Sequence, residues 1–372
     1  MLLFTPGPTP VPESVRQAMA TPTIHHRTPE FESIFAQTRE LLFGLMRTDE
    51  VVMLATTGTG GMEASVINLC HDTLLNINSG KFGERFGLIA KAHGLGSVEI
   101  QHPWDTPATA DEVIEALEQN PAIDAVAIQI SESAGGLRHP VEEIAAAIKK
   151  HNREIMVIAD GITAVGVEPI DTTHIDALIA GSQKALMLPP GLAIVGLSNA
   201  AVDKIGAGKG YYLNLATEVK KQRQNTTAYT AATTLVIGTG AILEEIEVQG
   251  GLEKLYADTK RRAEATRGAL EAIGLHSYPQ EPAPSMTTID DPDANSIRKT
   301  LKEEFGVNVA GGQDHLKGKI FRINQMGLIP LNESLWVVTA IEQALGRLER
   351  RVFDGTAARV FQEIYFDKRE FR

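Results

Sequence analysis

"GSQKALMLPPG", Gly181–Gly191, sets one lysine, Lys184, between an apolar run and a proline pair. The residues before it, Ile175–Ser182 (IDALIAGS), read as a buried strand. The charge therefore falls where a buried strand ends and a stiff turn begins. In open α/β sheets, ligands bind outside the carboxyl ends of the strands. A lysine desolvated at such a place has a lowered pKa, which suits imine formation with an aldehyde.

Working outward, the same texture repeats. Val51–Thr56 (VVMLAT) runs into GTGGMEASVINLC, and Thr73–Asn78 (TLLNIN) into a helix near 82–92. Ala125–Ser131 (AVAIQIS) precedes VEEIAAAIKKH, whose apolar positions fall at helical spacing, and Ile155–Asp160 (IMVIAD) follows it. ALIAGS and LAIVGLS complete the series. Apolar strands alternating with helices predict a mostly parallel sheet covered on both faces. Upstream, Pro6, Gly7, Pro8, Pro10 and Pro12 predict an extended arm, and a helix is expected over about 29–45. Downstream, long helices are expected over about 231–249 and 252–273, broken at Gln249-Gly250-Gly251. Short strands (SMTTID, VNVAGG, KIFRIN) and helices then suggest a smaller α+β unit, with Gln280–Pro292 as a surface loop around one strand.

The chain has 372 residues, enough for two packed units. Its 43% hydrophobic and 22% charged residues are ordinary for a globular protein. A net charge of −12 argues against nucleic acid or an anionic membrane as the main partner. The single cysteine, Cys70, excludes an internal disulfide framework and a multi-cysteine metal site. It is expected to be buried and inert at the end of an apolar helix. The sequence holds no signal-peptide pattern and no run near the roughly 20 apolar residues of a membrane span, so a cytoplasmic location is expected.

Three features carry chemistry. The Gly-rich turn Thr56–Ala64 (TTGTGGMEA) opens a helix, and its backbone N–H groups with Thr57 and Thr59 suit a phosphate. A dinucleotide fingerprint fails there, because Glu63 stands where the third glycine belongs. Asp160 closes a buried strand and needs a cation or donors. Lys184 follows the next strand. A phosphate, a pyridine nitrogen and an aldehyde need these three groups, so pyridoxal 5′-phosphate is the expected cofactor.

The motifs TGTGGMEA, IADGITAVG and GSQKALMLPPG, in that order, resemble the class V pyridoxal-phosphate-dependent aminotransferases, most of all the alanine–glyoxylate and serine–pyruvate branch. The resemblance implies an α/β fold of type I. Its large domain (16–250) would hold a mostly parallel seven-stranded sheet between helices. A smaller C-terminal α+β domain (251–372) and an N-terminal arm (1–15) joining it would complete the chain. Lys184 would be the Schiff-base lysine and the acid/base, and Asp160 would pair with the pyridine nitrogen. Thr57, Gly58, Thr59 and Gln183 would hold the phosphate. Phe82 and Ile162 would flank the ring, and Ser133 would lie near its phenolic oxygen. Arg322 (in KIFRIN) would take the substrate carboxylate beside Gly7.

The resemblance also implies a homodimer in which Thr230 reaches the neighbouring subunit's phosphate. Relatives often carry a tyrosine where Thr227 stands, with Tyr229 two residues on. His25-His26-Arg27 recurs near the site entrance in the family, although a solvated loop is the plainer reading, and Lys368–Arg372 reads as a solvated end. The implied reaction moves an amino group from a small amino acid, of serine or alanine type, to pyruvate or glyoxylate. The alternatives are a phosphoserine or other class V transaminase, or an accessory subunit of a larger redox assembly. A cysteine desulfurase is disfavoured, because Cys70 lies in a helix and Phe82 stands where those enzymes tend to stack a histidine.

Overall fold

The computed structural model describes residues 1–367. The expected end Lys368–Arg372 lies outside the described residues. A seven-stranded sheet runs in the order Glu50–Leu54, Ala193–Leu197, Ala177–Gly181, Met156–Asp160, Ile123–Gln129, Thr73–Asn78 and Gly96–Gln101. Only Ala193–Leu197 runs against the others, pairing antiparallel with both of its neighbours. The remaining pairs are parallel.

The strands are apolar on both faces because each face meets a helical layer. Val51, Leu75, Val126, Ile128, Val157 and Leu178 join one core, with Phe31 and Phe35 of helix Pro29–Met46 and Ile242 of helix Thr233–Val248. Their sequence neighbours Val52, Leu74, Ala125, Ala127, Ile158 and Ile179 face the other core, with Met62 of helix Gly58–Leu69 and Phe86 of helix Lys81–Ala92. This is the period-2 alternation of a strand with no solvent face.

The arm begins as strand Leu2–Phe4, which pairs in parallel with Val307–Val309. A second, five-stranded sheet follows in the order Leu2–Phe4, Val307–Gly311, Ile320–Asn324, Met286–Asp290 and His276–Ser277. The break before helix Gly251–Glu271 is sharp: Gly250 and Gly251 have φ of 113° and 80°, where side chains are strained. The helix itself spans both cores, with Leu255 in the large-sheet core and Ala265, Ala269 and Leu270 in the small-sheet core. Two expectations need correction. Strand Gly96–Gln101 has no counterpart in the sequence reading, because it is an edge strand with an exposed, polar-interrupted pattern. Residues 280–292 are not all surface loop, since Ala283 is buried and Pro282 bridges to Leu137. No helix among the described residues is long and apolar enough to cross a membrane.

The other edge, Glu50–Leu54, is covered by a side chain. Gln222 is fully buried; its Oε1 accepts from the Met53 N–H (2.9 Å) and its Nε2 donates to the Met53 carbonyl (2.8 Å). It thereby supplies the pairing that a further strand would give. Gln222→Leu should strand both backbone groups and cost about 2–4 kcal/mol in denaturant unfolding. A loss below about 1 kcal/mol would show that water reaches this edge.

Candidate active site

Five strands end on one side of the large sheet, and the turns after them converge. The turn after Leu54 gives Thr57, Gly58 and Thr59, and the turn after Asn78 gives Phe82. The turn after Gln129 gives Glu132 and Ser133, the strand ending at Asp160 gives that carboxylate and then Ile162, and the turn after Gly181 gives Gln183 and Lys184.

Helix Gly58–Leu69 starts with no side-chain cap, so its first N–H groups are left for a ligand or water. The start is close-packed: a Cβ on Gly58 would fall 2.4 Å from Ile162 Cδ1. Gln183, in the turn after Gly181, has its Oε1 buried and unpartnered. Asp160 is buried, and its Oδ1 accepts from the Ile162 N–H (2.9 Å). Burial pushes its carboxyl up to about 6, against the pull of that N–H and the charges of Lys184 and Arg85. Lys184 is pushed down to about 8, chiefly by burial; Asp160 opposes this, and Arg322 and Arg85 add to it.

The arm closes over the lysine. Lys184 Nζ donates to the Pro6 carbonyl (2.5 Å), and Thr9 Oγ1 donates to the Lys184 carbonyl (2.6 Å). Gly7, at φ 114°, leaves the room this needs: a Cβ there would lie 2.8 Å from Nζ. Arg322 comes from the small sheet. Its Nε and Nη2 donate to the Gly311 carbonyl (3.1 and 2.6 Å), and Nη1 donates to the Ser133 carbonyl. It is buried and has no carboxylate partner among the described residues, so it is not the ion pair of an ordinary strand arginine.

Thr230 stands apart from this group. It is exposed on the rim of a small hollow that also involves Ala55, Tyr212 and Tyr229. Thr227 is buried, its Oγ1 donating to the Tyr229 carbonyl (2.6 Å). The Tyr229 ring sits 5.4 and 5.2 Å from those of Tyr211 and Tyr212. His25 is an exposed loop residue, but Arg27 is more than a solvated charge: its Nη1 donates to Thr226 Oγ1 (2.8 Å) and to the Thr227 carbonyl (2.9 Å). Cys70 is buried and its thiol is pushed up to about 12, first by burial and then by Asp124, as an inert cysteine requires.

Two groups at the site escape sequence reading. Glu132 is fully buried and accepts from the N–H groups of Phe82 (3.0 Å), Gly83 (2.9 Å) and Ala134 (2.9 Å). Gly80 makes room for it, because a Cβ there would lie 2.4 Å from the carboxyl carbon. Arg85 donates from Nη1 to Thr59 Oγ1 (2.8 Å). Glu132 immediately precedes Ser133 and Arg85 stands three residues after Phe82, but neither position carries a spacing signal of its own.

The class of protein is now defined. Residues 1–327 match the family model "Aminotransferase class-V". The chain is 50% identical over 367 residues to an uncharacterized aminotransferase of Helicobacter pylori (strain ATCC 700392 / 26695), covering 98% of this chain and 100% of that one. It is 36% identical to the "soluble hydrogenase, small subunit" of Synechococcus sp. (strain PCC 6716), covering 93% of each. It is 29% identical to the L-aspartate–glyoxylate aminotransferase of Paracoccus denitrificans (strain Pd 1222), covering 98% of this chain and 96% of that one. The crystal structure of the subgroup IV aspartate aminotransferase of Thermus thermophilus superposes with a TM-score of 0.87 at 32% identity, covering 93% of this chain and 99% of that one.

The chain belongs to the class V aminotransferase family and has the type I fold of pyridoxal-phosphate-dependent transferases. It is a transaminase, and membership implies pyridoxal phosphate as its cofactor. The residues present fit that group: an uncapped helix start and an orphaned amide for the phosphate, a buried carboxyl for the ring nitrogen, and a half-buried amine for the aldehyde.

Glu132 gives a pH test. Its carboxyl is pushed from 4.5 to about 7, chiefly by burial, with Asp160 adding and the three N–H groups opposing. The folded state then holds the proton more tightly than the unfolded chain, so this group's stabilising effect is lost as pH rises through that window. Relative to Glu132→Gln, the cofactor-free wild type should lose thermal stability between about pH 4.5 and pH 7. A difference that does not vary with pH would show that Glu132 is ionised throughout.

Proposed function

We propose that this transaminase moves an amino group between a small amino acid, of serine or alanine type, and a 2-oxo acid such as pyruvate or glyoxylate. The observation that carries the reading is the convergence of Lys184, Asp160 and Arg322 under Gly7. The glyoxylate name of the Paracoccus relative supports the acceptor. When bound, pyridoxal phosphate supplies the electron sink for charge developing at the substrate Cα.

The chain's own residues do the rest. Asp160 keeps a proton on the pyridine nitrogen, since a buried carboxyl gains a partner there. Thr57, Gly58, Thr59 and Gln183 bind the phosphate, Phe82 and Ile162 hold the ring, and Ser133 orients its phenolic oxygen. Lys184 Nζ, with its pKa near neutrality, takes a proton from Cα and returns it as a general acid. Arg322 takes the substrate carboxylate with N–H groups not committed to Gly311 and Ser133. Gly7 keeps the space beside Nζ clear for a small substrate.

We further propose a cytoplasmic homodimer, with the chain dividing into an arm (1–15), a large unit (16–250) and a small unit (251–372). Tyr211 (82% exposed) and Tyr212 (46%) next to Thr230 support a second copy covering that face. A second reading, an accessory subunit of a redox assembly, draws on the hydrogenase name of the Synechococcus relative. The complete lysine, aspartate and arginine set favours catalysis.

Lys184→Ala should abolish the visible absorbance band of the purified protein and all turnover; a colourless wild type that cannot be reconstituted would favour the accessory reading. Arg322→Ala should raise KM for amino and oxo acids alike by about 10-fold or more, with the cofactor still bound. Unchanged KM would make Arg322 structural. Mixing serine, alanine and aspartate separately with the loaded enzyme, and following the band, would identify the donor.

A further inference from the structure

Arg85 has a place in the site but no role in the reaction described above. It stands one turn into helix Lys81–Ala92, three residues after Phe82. Its Nη1 donates to Thr59 Oγ1 (2.8 Å), and its guanidinium carbon lies 4.8 Å from the Phe82 ring centroid. Half-buried Arg138, by contrast, pairs with Glu142 (2.8 Å) and Glu168 (3.0 Å). Arg85 makes no ion pair among the described residues. Its polar contact is a neutral hydroxyl, which satisfies one N–H and no charge.

The hydroxyl it holds belongs to the second residue of helix Gly58–Leu69, the end with no side-chain cap. Unpaired N–H groups and the positive end of the helix dipole already favour an anion there. Gln183 Oε1 is buried without a partner, and Ile162 lies against both Gly181 of its turn and Gly58 of this helix. A guanidinium with an open fork adds a full charge to these partial ones. The Phe82 ring lies against the guanidinium in a cation–π contact, which limits the side-chain freedom still to be lost on binding.

We propose that Arg85 is a cofactor-binding residue that takes the phosphate, its free N–H groups and the start of helix Gly58–Leu69 forming one dianion site with Thr59 as the joint between them. The inference rests on the pyridoxal phosphate reading. It differs from a role for Arg85 in stiffening Phe82 against the ring, and from a role in taking an acidic substrate side chain.

The test compares two ligands that differ only in the phosphate. Full-length protein stripped of cofactor is titrated with pyridoxal phosphate and with pyridoxal, and Kd is read from the visible band. Arg85→Gln should weaken pyridoxal phosphate about 10- to 100-fold, as for loss of a charge-assisted hydrogen bond, and leave pyridoxal unchanged. Equal weakening of both ligands would overturn the proposal in favour of the ring-stiffening role. No weakening of either, with KM raised for acidic substrates, would overturn it in favour of the substrate role. If Arg85→Gln does not fold, Arg85→Lys keeps the charge and loses the fork; a smaller loss, still confined to the phosphorylated ligand, supports the proposal, and a loss shared by both ligands overturns it. A wild type that binds neither ligand would overturn the cofactor reading as well, whereas a wild type that binds both, with Arg85→Gln indistinguishable, removes Arg85 alone.

Discussion

Two opposite charges taken out of water at the end of a parallel sheet set the terms for the rest of this molecule. Burial drives Lys184 down to about 8 and Asp160 up to about 6, each shift limited by the presence of the other. Neither group would be kept in such a place for stability alone, since a buried charge costs more to desolvate than a nearby opposite charge returns. What the arrangement supplies is two groups that can both exchange protons near neutral pH. The fold meets the cost with geometry. Strands that are mostly apolar along their length deliver Asp160, and the turn that carries Lys184, at one end, where helix starts and turn N–H groups are available.

The small sheet reaches the site at two points, and backbone groups anchor it at each. The arm leaves strand Leu2–Phe4 and laces onto the lysine turn: Thr9 N–H to the Gln183 carbonyl (3.1 Å), Thr9 Oγ1 to the Lys184 carbonyl, and Lys184 Nζ to Pro6. Arg322 leaves strand Ile320–Asn324 and reaches the Ser133 carbonyl on the large sheet. Each link ties a residue proposed to touch substrate to a turn proposed to touch cofactor. A shift of the small sheet must therefore move the substrate-facing groups together. Glu132 works similarly within the large sheet, since one carboxylate takes N–H groups from the Phe82 turn and the Ser133 turn.

How much of this is legible in the sequence follows from which forces act locally. The strands of the large sheet are readable because burial on both faces leaves unbroken apolar runs, and Asp160 and Lys184 stand out as charges closing two of them. The edge strand Gly96–Gln101 is not, because its half-exposed pattern is that of a loop as much as of a strand. Arg85 and Glu132 escape for a different reason. Their roles lie in contacts to residues 26 and 50 positions away, with Thr59 and Phe82, which no local pattern encodes. Gln222 capping Met53 from 169 positions away is the same case in the scaffold.

The division between legible and illegible residues bears on which parts of the site are free to vary within one fold. The groups that would act on the cofactor are carried on strand ends, and their positions follow from hydrogen-bond register along the sheet. The groups around the substrate side are carried on segments placed by long-range contacts. Lys81 pairs with Asp314 (3.2 Å), and the Trp104 ring lies edge-on to His315 at 4.6 Å. Both contacts join turns of the large sheet to the segment after Gly311, whose carbonyl also holds Arg322. A substitution in that segment can re-aim Arg322 without disturbing the strands that present Lys184 and Asp160. Substitutions there can therefore change which carboxylate is held, while the groups proposed to move protons stay fixed on their strand ends.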